Sequence, residues 1–82
     1  MKKVLLTIVK SKCRSGYFKA GQQFVVEDVC PPICTELWNC IYPYVFALQN
    51  GARLDHGDGT ALCFEAKCPD EGRVEIRGEL LE

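Results

Sequence analysis

Long hydrophobic runs are missing from this 82-residue chain. The most apolar stretch, Val4 to Val9, is interrupted by Thr7 and closed by Lys10 with no small-residue cleavage site behind it, so it reads as a strand and not as a signal peptide. Nothing else approaches the roughly 18 apolar residues of a membrane span. The expectation is a cytoplasmic protein with no membrane association. Net charge is also missing: 10 basic residues meet 11 acidic ones, and a pI near 5.8 excludes the domain-wide basic footprint of a dedicated nucleic-acid binder. There is a single histidine, no Cys-x-x-Cys pair, no Ser–His–acid set, no P-loop, no dinucleotide fingerprint and no internal repeat. No catalytic residue set can be assigned, and the reading favours a non-enzymatic module.

The apolar residues and cysteines supply the positive evidence. An apolar fraction of 48% with modest charge is the composition of a folding chain, and the length allows one domain, residues 1–82. A domain of this size buries only about 60% of the surface that its unfolded chain exposes, so its core is marginal and gains from a metal, a disulfide or a partner. Six cysteines are available for such help. In a reducing compartment they remain thiols, which points to metal ligation, redox chemistry or packing before a disulfide framework. The charge is uneven along the chain. All bases up to Lys19 precede the first acid, Glu27, and residues 27–82 carry four bases against eleven acids. A solvated basic edge beside an acidic remainder accounts for this without a nucleic-acid partner.

Val4, Leu6 and Ile8 alternate with Leu5, Thr7 and Val9, which gives a strand apolar on nearly both sides and suited to the middle of a sheet. A glycine-containing connection over 11–21 leads to a second strand near 22–27, with Phe24 and Val26 turned inward. Cys30-Pro31-Pro32 ends it. From Ile33 the period changes, with Leu37, Ile41, Val45 and Leu48 at helical spacing, a carboxyl-terminal cap at Asn50-Gly51, and Pro43 predicted to kink the helix or split it. Asp55 to Gly59 is a turn cluster. Leu62, Phe64 and Ala66, then Val74, Ile76 and Leu80, form two strands of a hairpin turning at 69–72. The order is β-β-α-β-β, an α+β fold with a four-stranded, mostly antiparallel sheet and one helix on one face. The other face keeps apolar residues from the first strand, so either the sheet coils over it or a homodimer or protein partner covers it.

Among the cysteines, Cys30 follows the second strand, Cys34 opens the helix and Cys68 follows the third strand. If the helix runs back along the sheet, these three gather at one end. With Cys13 from the long loop or Cys40 as a fourth ligand, they are candidates for a zinc or iron-sulfur centre. A thiol at a helix amino terminus meets the positive end of the dipole and free amides, surroundings that favour thiolate and metal binding alike. Cys34 as attacking thiol, with Cys13 or Cys68 as resolving partner, is therefore the redox alternative. Packing is the competing role for every cysteine, and Cys40, between Leu37 and Ile41, fits it best. Cys63 projects with Glu65 and Lys67 away from the helix, where a bare thiol is out of place unless that face is covered. His56, between Asp55 and Asp58, reads as part of a turn.

The segments Cys30-Pro-Pro-Ile-Cys-Thr-Glu-Leu-Trp-Asn-Cys-Ile-Tyr-Pro-Tyr-Val-Phe-Ala-Leu-Gln-Asn-Gly51 and Ala66-Lys-Cys-Pro-Asp-Glu-Gly-Arg-Val74 resemble a family of small cysteine-containing prokaryotic proteins, frequent in anaerobes, to which no activity is assigned. That family has one cysteine ahead of a Gly-x-x-Phe strand, one at the helix start and one before an Asp-Gly turn. These correspond to Cys13, Cys34 and Cys68 here. The resemblance moves a metal or thiol site toward those three, with Cys30, Cys40 and Cys63 as additions and Glu71 inserted in the turn.

Overall fold

The computed structural model describes residues 2–14 and 16–81; Met1, Ser15 and Glu82 lie outside the described residues. The elements are β1 (Lys3–Ser11), β2 (Gln23–Val26), α1 (Thr35–Gln49), β3 (Leu54–His56), β4 (Gly59–Ala61), β5 (Cys63–Lys67) and β6 (Val74–Leu81). Four strands form an antiparallel sheet in the order β2-β1-β6-β5, and β3 and β4 make a separate hairpin. This is the expected α+β fold, with a small hairpin where the sequence suggested only a turn cluster. Gly57, at φ 60, takes the left-handed conformation that a two-residue hairpin loop needs.

The helix-covered face holds the core. Val4, Leu6 and Ile8 of β1 lie opposite Leu80, Gly78 and Ile76 of β6, and on the far side Val4 and Leu6 meet Val26 and Phe24 of β2. Onto this layer α1 sets Leu37, Ile41, Val45 and Leu48, all fully buried. Each such side chain contributes about 1.5–3 kcal/mol on leaving water. Gly78 leaves room for the Phe64 ring, with which an added Cβ would collide, and Tyr44 of α1 stacks on that ring at 5.3 Å. Phe18, from the long connection, seals the core edge-on against Phe24. Pro43 is exposed within one continuous helix. Its missing N–H and crowding ring thus fall on the solvent side, where water can satisfy the carbonyl it leaves unpaired.

The outer face is mixed. Val25, Leu5, Glu79 and Cys63 make one row across it, followed by Gln23, Thr7, Arg77 and Glu65. Val9 and Val25 are more than half exposed, at 56% and 54%. A β-bulge at Val9 sets both Val9 and Lys10 against Glu75, and Ser11 then pairs with Val74. Among the described residues the β3–β4 hairpin closes the Cys63 corner, with Nδ1 of His56 3.7 Å from Sγ of Cys63. No helix among the described residues is long and apolar enough to cross a membrane.

Strand directions fix what lies at each end. β1 and β5 run the same way, so Ser11 and Lys67 finish on either side of the first residues of β6, and Cys13 and Cys68 follow them. β2 runs opposite and finishes beside the start of β1, Val26 facing Val4. The helix starts at the Cys13 end and finishes at the other, where the Gln49 side-chain amide donates to the carbonyls of Lys2 at 3.1 Å and Glu27 at 2.7 Å.

Candidate functional site: a three-thiol cavity

At the end where β1 and β5 finish, Cys13, Cys34 and Cys68 line one cavity of about 100 Å³, several times the space one water molecule needs. Its apolar wall is formed by Phe18, Pro69 and Val74, and its rim by Arg14, Glu36, Asp70 and Arg73. Each thiol comes from a different piece of chain. Cys13 follows β1 in a turn that closes with the Gly16 amide donating to its carbonyl, and its own amide donates to Oγ of Ser11 at 3.4 Å. The neighbouring Lys12 amide donates to the Arg73 carbonyl at 2.6 Å, which ties this loop to the start of β6.

Cys34 is the N-cap residue of α1, in extended conformation at φ −64 and ψ 148. Its carbonyl accepts the first helical bond, from the Trp38 amide, but its sulfur makes no cap hydrogen bond. Cys68 is held from both sides. Its amide donates to the Val74 carbonyl at 2.9 Å, and its sulfur accepts the Val74 amide at 3.4 Å. The same thiol donates to the Asp70 carbonyl at 3.7 Å.

The rim charges are paired with one another. Asp70 lies 3.4 Å from the Arg14 guanidinium and 3.4 Å from Nε of Arg73, while Arg73 also reaches Glu71 at 3.1 Å. Nε of Arg73 is out of water, and its approach to Asp70 is too oblique for a hydrogen bond. These pairs fix the shape of the 68–74 turn, in which Glu71 and Gly72 both have positive φ, at 55 and 68. Asp70 is thus engaged by two cations, whereas Glu36, two residues from Cys34, lines the same cavity and takes part in none of these pairs.

Cys30 is exposed and does not line this cavity; it opens instead onto a groove with Trp38 and Tyr42. Placing it with Cys34 and Cys68 overlooked that β2, antiparallel to β1, delivers the chain to the opposite end of the sheet. Cys40 is half-buried against the core and directs its sulfur to the Lys67 carbonyl at 3.6 Å, a packing role. Arg14, Asp70, Arg73 and Phe18 were not foreseen at the site. The Asp70-x-x-Arg73 spacing inside a turn was the one available signal for two of them.

Fold and site together define a small α+β domain with a three-thiol cavity at the amino end of its only described helix. Comparison of the chain with protein-family models, curated proteins and solved structures gives no match.

Proposed function

We propose that this protein is a small binding module that holds a thiophilic metal, zinc or the iron of an iron-sulfur centre, through Cys13, Cys34 and Cys68. The observation that carries the proposal is the meeting of three thiols from three separate elements on one cavity. As the side chains stand, no three Cys, His, Asp or Glu among the described residues are close enough to hold an ion. Binding therefore draws the thiols inward. The Cys34 sulfur has no cap bond to give up in turning, and Cys13 sits on a loop outside helix and strand. Three protein thiolates leave a fourth tetrahedral position for water or an incoming ligand. Because the site forms only in the folded chain, metal binding adds directly to a marginal stability.

The test is elemental analysis and a free-thiol count on protein purified without oxygen. One zinc or iron per chain, with Cys13, Cys34 and Cys68 protected from alkylation, is the expected result. Metal-free protein that takes up no added zinc and exposes all six thiols removes the proposal.

A second reading is a non-catalytic interaction protein that forms a homodimer through the outer sheet face. Its observation is exposed Val25 beside half-buried Leu5, with exposed Val9 further along β1 on the same face. Sedimentation at micromolar concentration decides it, and a monomer rejects it.

A further inference from the structure

Cys63 is the one buried thiol among the six, yet it belongs to an edge strand and points to the outer face of the sheet. Its cross-strand neighbour there is Glu79, with Glu65 and Arg77 in the next row. The β3–β4 hairpin covers it, and the group set against its sulfur is the chain's single histidine, with Nδ1 of His56 3.7 Å from Sγ. His56 is itself exposed, and Asp55 and Asp58 flank it. A half-polar sheet face offers easier ways to seat a hairpin than a thiol beside an imidazole. That pairing is the arrangement by which proteins activate sulfur, the imidazole accepting the proton that makes the thiol a weak nucleophile.

We propose that Cys63 and His56 form a nucleophile–base pair, a second thiol site independent of the three-thiol cavity, which reacts with hydrogen peroxide and comparably small hydroperoxides. With the imidazole proton on Nε2, Nδ1 accepts the S–H proton. The sulfur then attacks one peroxide oxygen and the O–O bond breaks. The departing hydroxide takes the proton back from the imidazole and leaves as water. Cys63 is oxidised to a sulfenic acid while hydrogen peroxide is reduced to water. The 7% exposure of Cys63 selects the oxidant by size, since peroxide is little larger than water and bulkier oxidants do not fit under the hairpin. The added oxygen displaces the imidazole from the sulfur, so oxidation weakens the seat of the hairpin.

Cys30 supplies an internal reference, being exposed and without an imidazole beside it. The full chain is treated with hydrogen peroxide, sulfenic acid is trapped with a 1,3-diketone, and mass spectrometry reads the rate at each cysteine. The expected Cys63-to-Cys30 rate ratio exceeds one in the wild-type protein and falls about tenfold or more in His56→Gln, the scale of a lost general base. A wild-type ratio below one overturns the proposal whatever the variant does. An unchanged or increased ratio in His56→Gln also overturns it, because His56 would then only shield the thiol.

Discussion

The two ends of α1 are finished in opposite ways. At the carboxyl end the Gly51 amide donates to Leu48 and the Ala52 amide to Ala47, the paired bonds of a Schellman cap, with Gly51 at φ 86. The Asn50 side chain donates to the Phe46 carbonyl at 2.8 Å, and Gln49 joins the helix to the start of β1 and the end of β2. At the amino end, Cys34 occupies the position where Ser, Thr, Asp or Asn gives a first-turn amide its hydrogen bond, and gives none. An N-cap of the usual kind contributes about 1 kcal/mol. The amino end thus lacks the side-chain cap that the carboxyl end has, and its N-cap residue is one of the three thiols that line the cavity.

The contrast can be broken from the closed end first. Gln49→Ala removes the donor to the carbonyls of Lys2 and Glu27, and denaturant unfolding is expected to show a loss of about 1–2 kcal/mol with zinc affinity unchanged. Gly51→Ala forces a side chain into the left-handed region and costs about 1 kcal/mol by the same measurement. At the open end the sign reverses. Cys34→Ser restores a capping oxygen and raises the stability of metal-free protein by about 0.5–1 kcal/mol, while competitive titration shows zinc affinity at least about tenfold weaker. A variant that loses stability without metal would mean that Cys34 serves the fold. The smallest effect belongs to the rim. Asp70→Asn frees Arg14 and Arg73 from partly exposed pairs and moves unfolding free energy by about 0.5 kcal/mol or less.

Periodicity made the core legible. Val4, Leu6 and Ile8 on a central strand, Leu37 through Leu48 on one helix face, and the alternation of Val74 and Ile76 all appear where the sequence pattern puts them. The β3–β4 hairpin was hidden because Asp55, His56, Gly57 and Asp58 have turn chemistry and little strand propensity. Its strands are three residues each and depend on seating over β5. Phe18 was hidden because no period marks a loop residue that folds back onto the core. No sequence pattern marks Gln49, and only the tertiary fold shows two strand termini converging on its amide. At the site, the expected course of the helix back along the sheet nominated Cys34 and Cys68 together with Cys30, and the resemblance pointed to Cys13 in its place. Choosing between Cys13 and Cys30 required strand direction, since a chain leaving β2 lies a full strand length from one leaving β1.

The pairing of β1 with β6 sets the order in which the molecule can come into being. The two central strands of the sheet are separated in sequence by every other element, so the core cannot close until Val74–Leu81 has been made and has found β1. Such distant pairing slows folding and leaves early chains open. The three-thiol cavity shares that history. Cys13 and Cys68 are brought together by β6, which hydrogen-bonds to the segments leading to both, and a nascent chain carries its cysteines singly until that strand arrives. The three thiols thus come to face one cavity only in chains that have completed their sheet.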